Sequence, residues 1–264
     1  MLRWSMAAPS SSAIKRRLAL IARSGEMGYP SVLTAKQWGF YDVLFRGQPF
    51  RFQRGYGSYV MENVLFKISW PAEFHGQTAV ECALALHGQV RDRLDEVERI
   101  VLETQESAVR ILDKVGPLAN PADRDHCLQY LVAVPLIHGR LTAADYEDTV
   151  AADPRIDALR AKMEVRENAG FSAEYLDPDK RYIGNAVQVF FRDGTQTERV
   201  QVDVPVGHRL RRAEGIPLLL QKFEASVVAH YPAVQAEKIK ALFVDRTRLE
   251  ALPVNEMVSM LVRN

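Results

Sequence analysis

The chain has 264 residues, long enough to bury a sizeable core in one or two domains. Hydrophobic residues make up 47% and charged residues 25%, and Lys+Arg 34 against Asp+Glu 33 leaves a net charge of +1. That balance argues against nucleic acid as a partner, and no apolar run approaches the roughly 20 residues of a membrane-spanning helix, so no membrane partner is expected either. Cys82 and Cys127 are the only cysteines, too few for a disulfide framework or a self-contained iron–sulfur cluster.

Residues 1–17 are basic, acid-poor and serine-rich. They fit a short transit peptide. They also fit Ser10–Ser12 capping a helix over 13–23 that Gly25 stops, the reading favoured by the unbroken apolar spacing. The run Thr34-Ala35-Lys36-Gln37 has the form of a capping box and predicts a short helix to Phe45, closed by Gly47. The apolar run before Lys67 predicts a strand over 63–68. After the Trp70-Pro71 break, an amphipathic helix is expected over 73–86. Alternation in EVERIVLE predicts a strand over 96–103.

Asn120-Pro121 marks a helix start, with a capping Asn and Pro at the first helical position, and the helix is expected to run to about 137 and stop at Gly139. Further short helices are expected from Thr142 and Pro154. Two alternating runs, 186–191 and 198–204, flank Asp193-Gly194 and predict a hairpin. Helices over 216–228, 232–243 and 254–262 close the chain. The fold class is therefore α+β. Residues 1–62 and 207–264 are helical material, and a mixed unit at 63–206 is inserted between them, an arrangement that leaves a cleft for a ligand.

Residues suited to acid–base chemistry concentrate near this insertion. A lysine ending a buried strand is unusual: burial would lower its pKa towards neutrality, whereas a strand-edge position would leave the Lys67 ammonium in water. His126 and Tyr130 stand at i and i+4 on one predicted helix and so would share a face, with Arg124 and Asp125 on the same turns. The alternative for these four is a solvated helix start with a core-edge tyrosine. Arg51 and Arg54 flank Phe52 before a Gly-rich turn, and arginine forks suit carboxylates. His208, Arg209, Arg211 and Arg212 read as a solvated basic loop, Lys180 and Arg181 as surface charges, and both cysteines as buried small apolar residues.

The stretch YGSYVMENVLFKISWPAEFHGQTAVE at 56–81 closely resembles the MmgE/PrpD family, which contains 2-methylcitrate dehydratases. So do GPLANPADRDHCLQY, GRLTAADYEDTVA and PVNEM, and the resemblance runs from about residue 21 to residue 262. It implies a helical domain built from both chain ends, an inserted α+β lid, and loss of water from a 2-methylcitrate-like tricarboxylic acid by acid–base chemistry without a cofactor or metal. It also implies that Lys67 and Tyr130 point into the active cleft, with His126 as the third proton-transfer candidate. His75, Arg54, Arg124 and Arg3 would hold substrate.

A homodimer in the cytoplasm, or in the mitochondrial matrix of a eukaryote, is expected on the same basis. Two departures matter. Gly55 stands where the family suggests proline, and the front reads Arg3-Trp4-Ser5-Met6-Ala7-Ala8-Pro9-Ser10 in place of a basic residue, Trp and a Gly-Asp-Ala-Thr run. Relatives carry most of the helical domain before this point. The expectation is therefore apolar surface on the remaining helices and little activity in the isolated chain. The alternatives are a non-catalytic remnant that binds a tricarboxylate or a partner chain, or a cis-aconitate decarboxylase-like enzyme.

Overall fold

The computed structural model describes residues 11–48, 51, 55, 57 and 59–263. It divides into two compact units, Met1–Ser58 and Tyr59–Asn264. In the first, helix α1 (Ser11–Arg23) ends before Gly25, whose φ of 93° needs the freedom glycine has, and α2 (Phe40–Phe45) is followed by Gly47 at φ 76°. Both stops were legible. The capping box at Thr34 was not used: residues 30–38 form turns, with the Gln37 N–H bonded to the Asp42 carboxylate at 2.6 Å.

The second unit is a mixed α+β body. In chain order it contains α3 (Tyr59–Asn63), α4 (Gln77–Val90), β1 (Val97–Thr104), α5 (Glu106–Leu112), α6 (Pro121–Asp125), α7 (Leu128–His138), α8 (Asp148–Ala151) and α9 (Pro154–Arg160). Next come β2 (Met163–Glu167), α10 (Ala169–Leu176), β3 (Asn185–Phe191), β4 (Val200–Val202), α11 (Arg212–His230), α12 (Ala233–Val244), α13 (Arg246–Ala251) and α14 (Val254–Met260). The four strands form one sheet in the order β2-β1-β3-β4. β1 pairs β2 in parallel and β3 antiparallel, and β3 pairs β4 antiparallel. The expected hairpin is present, turning at Gly194 with φ 82°.

The core forms where α4 and α7 pack on each other and α4 packs on β3 and β4. Every residue from Leu128 to Ile137 is buried, because this stretch is apolar all round and has no polar face to give to solvent. α11, in contrast, buries only Gly215 and Val227. Val234, Val254 and Val258 on the following helices are more than half exposed, and so is Leu18 on α1. Among the described residues, no helix is long and apolar enough to cross a membrane.

Three expectations change. Residues 64–68 form no strand, and Phe66 N–H bonds Gly207 O at 3.1 Å. The helix expected over 120–137 is two helices, broken at His126 and Cys127, where Cys127 takes an extended conformation (φ −128°, ψ 108°). The buried Cys127 thiol there points at Lys114 O and the Gln129 side chain. The parallel strand β2 was not expected: Met163 and Val165 alternate with charged residues, but over only five residues, on an edge strand with exposed Glu164, Arg166 and Glu167.

Candidate active site

The chemistry-bearing stretch 64–76 is shaped by two close approaches. A Cβ on Gly207 would lie 1.7 Å from the Phe66 carbonyl oxygen, so the two backbones meet only because residue 207 has no side chain. A Cβ on Gly76 would lie 2.4 Å from Leu131 Cδ1, so the turn before α4 sits directly on α7. Arg212 adds a pin: its guanidinium stacks 4.0 Å over the Phe66 ring and donates to Val64 O at 2.7 Å. Lys222 Nζ donates to Lys67 O at 2.5 Å. Lys67 is thereby fixed at its backbone, while its side chain is exposed and carries the ammonium 5.0 Å from the Phe74 ring centroid. Of the two readings of Lys67, burial at a strand end and an ammonium in water, the second is the one present.

The best-organised polar cluster follows directly. Glu73 caps the 3-10 turn Phe74–Gly76 by accepting the His75 backbone N–H at 2.7 Å. Both its carboxylate oxygens also face His75 Nδ1, at 2.9 and 3.0 Å. Burial pushes the Glu73 carboxyl up, but the His75 bonds and the nearby charge of His126 outweigh it and hold the group below the usual carboxylate range. Glu73 is therefore a carboxylate at neutral pH. The other ring nitrogen, His75 Nε2, lies 3.1 Å from Tyr175 Oη on α10. Asn185 Nδ2, at the start of β3, donates to His75 O at 2.7 Å and locks the backbone of the turn to the sheet. Glu73 and Tyr175 were absent from the sequence-based candidates. The Glu-x-His spacing was a signal for the first; a partner 100 residues away left none for the second.

His126 and Tyr130 do not share a face. His126 closes α6 with its ring about half exposed, Nδ1 3.2 Å from Asp125 Oδ2. Tyr130 lies on α7, 2% exposed, stacked on Tyr146 and donating its hydroxyl to Asp145 O at 2.6 Å. Burial, offset in part by Arg124, raises its phenol to about 12. Arg124 is also buried, and its guanidinium donates to Tyr146 O at 2.5 Å and to Asp148 at 2.6 Å. Tyr130 and Arg124 line one hollow of about 240 Å³ together with Leu118, Asp148, Ala151, Ala152 and Asp157; Lys67 is not part of that wall. Both residues tie the α6–α7 corner, and so His126, to the 145–148 stretch. Arg3 and Arg54 lie outside the described residues.

The 208–212 cluster is not a solvated loop. His208 is 3% exposed, and burial together with the Arg209 charge lowers its pKa. Arg211 forks onto Glu81 at 2.8 and 2.9 Å and also bonds Glu214, contacts that raise its pKa further. Arg209 donates to Asp179 O. These cations hold the start of α11 to α4 and to the 177–181 turn. Among the described residues, no group of three or more His, Cys, Asp or Glu side chains is placed to hold a metal ion.

An α+β body with a carboxylate-backed imidazole and, eight residues before it in sequence, an exposed ammonium has the makings of an acid–base site. Residues 70–246 match the MmgE/PrpD C-terminal domain. The chain is 59% identical over 261 residues to a 2-methylcitrate dehydratase of Cupriavidus necator, covering 97% of this chain and 53% of that protein. It is 56% identical over 262 residues to one from Salmonella typhimurium, covering 98% and 54%. It is 54% identical over 266 residues to a mitochondrial 2-methylcitrate dehydratase of Yarrowia lipolytica, covering 100% and 51%. The chain belongs to the MmgE/PrpD family, and it spans about half the length of the curated relatives it matches.

Proposed function

We propose that this chain carries part of a hydro-lyase site that removes water from 2-methylcitrate, giving 2-methyl-cis-aconitate. The observation that carries the reading is the 67–75 segment, with an exposed ammonium and a carboxylate-backed imidazole, in a chain 59% identical to a protein named for this reaction. Elimination of water from a hydroxy acid needs three things: a base for the proton beside a carboxylate, an acid for the departing hydroxyl, and positive charge for the carboxylates. His75 belongs to the base side. Lys67, with its exposed side chain, is the acid and carboxylate anchor. His126, its ring about half exposed beside Asp125, is the third proton-transfer candidate. Tyr130 and Arg124 support the reading as the residues that hold the corner carrying His126.

In the same proposal, the helices at both chain ends belong to a helical domain and residues 63–206 to a lid, with Arg3 and Arg54 at the substrate carboxylates. The exposed apolar residues of α11, α12 and α14 support association, in the form of a homodimer, in the cytoplasm or the mitochondrial matrix. The test is turnover of 2-methylcitrate, followed by ultraviolet absorbance of the new conjugated double bond, in a protein that joins this chain to the helical half its relatives carry. Product formation that disappears in Lys67→Met and His75→Asn is expected. Turnover undiminished in both variants would refute the assignment.

A further inference from the structure

Beside the 64–68 segment lies a hollow of about 380 Å³, lined by Val60, Asn63, Val64, Leu65, Arg181 and His208. Lys67, His75 and His126 are not part of its wall. We propose that this hollow binds the carboxylate of a small organic acid with an apolar flank, anchored by the Arg181 guanidinium.

The wall has the chemistry for such a ligand. Val60, Val64 and Leu65 are apolar, and no lining residue is acidic. His208 is 3% exposed, its Nδ1 accepts the Leu210 N–H at 3.3 Å, and Tyr182 stands edge-on to its ring. Burial and the Arg209 charge favour the neutral imidazole, so Arg181 supplies the charge of this wall. The cations next to these two residues in the chain are already engaged. Lys180 pairs with Glu174, Arg209 donates to Asp179 O, Arg211 forks onto Glu81, and Arg212 donates to Val64 O. Among the described residues, the Arg181 guanidinium has no acceptor.

The backbone gives a second, independent observation. Arg181 has φ 51°, and among the described residues of Tyr59–Asn264 it is the one non-glycine residue in the left-handed region. A side chain there is strained, and such strain concentrates at functional sites and ligand clamps. The turn that imposes it is hydrogen-bonded throughout. The Lys180 and Arg181 N–H groups both bond Asp177 O, at 3.2 and 3.0 Å, and Arg209 holds Asp179 O. Arg181 is thus presented to the hollow by a fixed turn.

A guanidinium offers a carboxylate two parallel N–H donors, and one fork satisfies one planar anion. A phosphate ester would bring further acceptor oxygens for which this wall has no charged donor. The volume is that of a small-molecule site, and the apolar residues suit a methyl or methylene flank beside the carboxylate. Val64 and Leu65 also lead directly to Lys67, on the segment that Arg212 and Gly207 hold. An acid bound here rests on the same stretch of backbone as the Lys67 ammonium.

The test is titration of the full chain with 2-methylsuccinate, a branched dicarboxylate, followed by ¹H–¹⁵N correlation NMR. The amides of residues 60–65 and 181 should shift together, with a Kd of roughly 1–10 mM for so small a ligand. The neutral diamide of the same acid should leave them in place. Arg181→Gly removes the guanidinium and puts at φ 51° the residue that tolerates it best. It should melt with the wild type while binding weakens about tenfold or more. Arg181→Asn, which also accepts this conformation, should lose binding equally and guards against a loosened turn. Absence of shifts in the wild type, equal shifts from the diamide, or undiminished binding by both variants would each overturn the proposal. The titration is repeated in the protein joined to its helical half. Shifts retained there support the site; shifts that vanish would make the hollow a seat for the other half and overturn it.

Discussion

Gly207→Ala is the sharpest single test of how the site is built. The new methyl carbon would stand 1.7 Å from Phe66 O, 2.7 Å from Phe66 C and 3.0 Å from Phe66 N, all backbone atoms that no rotamer change can clear. To restore an ordinary contact, residues 64–68 must retreat by about 1.5 Å or more. The Phe66 N–H bond to Gly207 O, now 3.1 Å, does not survive that shift, a loss of about 0.5–1.5 kcal/mol. Overpacking adds about 1–3 kcal/mol. The sum, about 1.5–4.5 kcal/mol, should lower the midpoint of thermal unfolding by about 3–18 °C for a body of this size. Because Lys67 rides on the displaced segment, turnover should fall by roughly 10²-fold as well.

The matched control is Gly88→Ala. Gly88 is an exposed residue inside α4 with nothing within 4 Å of its would-be Cβ, and alanine there should stabilise by up to about 1 kcal/mol. Unfolding followed by circular dichroism on both variants decides the matter. If Gly207→Ala melts with the wild type while Gly88→Ala behaves as expected, the claim that backbone contact at 207 positions the Lys67 segment is wrong.

Three further outcomes are expected. Tyr130→Phe leaves Asp145 O without its buried donor and should cost about 1–3 kcal/mol in urea unfolding; a catalytic phenol would instead lose turnover at unchanged stability. Cys82, buried with its thiol pushed up to about 12, should resist a disulfide-exchange reagent at neutral pH until the protein is unfolded, and rapid native labelling would contradict its burial against Asn185. Stability should also fall in two stages on acidification. His208 is held neutral with its folded pKa below the usual 6.5, so the unfolded chain takes up the proton first and stability declines below about that pH. Glu73 and Asp145 have folded pKa values below 4.5 and 3.8. Their contribution is complete above those values and is lost as pH falls through the folded ones. A urea midpoint that is flat from pH 7 to about pH 4 would contradict this assignment of charges.

Local signals were legible wherever a single stretch of chain contained its own cause. The alternation of β1, the Gly194 hairpin, the Asn120 cap at the head of α6 and the glycine stops at Gly25, Gly47 and Gly139 all depend on neighbours in sequence, and all are present. The acid–base character of 67–75 was visible for the same reason, because Lys67, Glu73 and His75 lie within two turns of chain. Only the tertiary structure decided what these groups face. His75 meets Tyr175 at a separation of 100 residues, Phe66 meets Gly207 at a separation of 141, and Arg211 forks onto Glu81 at 130. Local periodicity carries no trace of such pairings. The i, i+4 argument for His126 and Tyr130 failed because it assumed an unbroken helix, and the break at Cys127 is made by contacts with residues 113–114 and 145–148. Short-range steric and hydrogen-bonding preferences are written residue by residue. The partner that orients an imidazole or seats a phenol depends on which distant part of the chain the whole fold brings beside it.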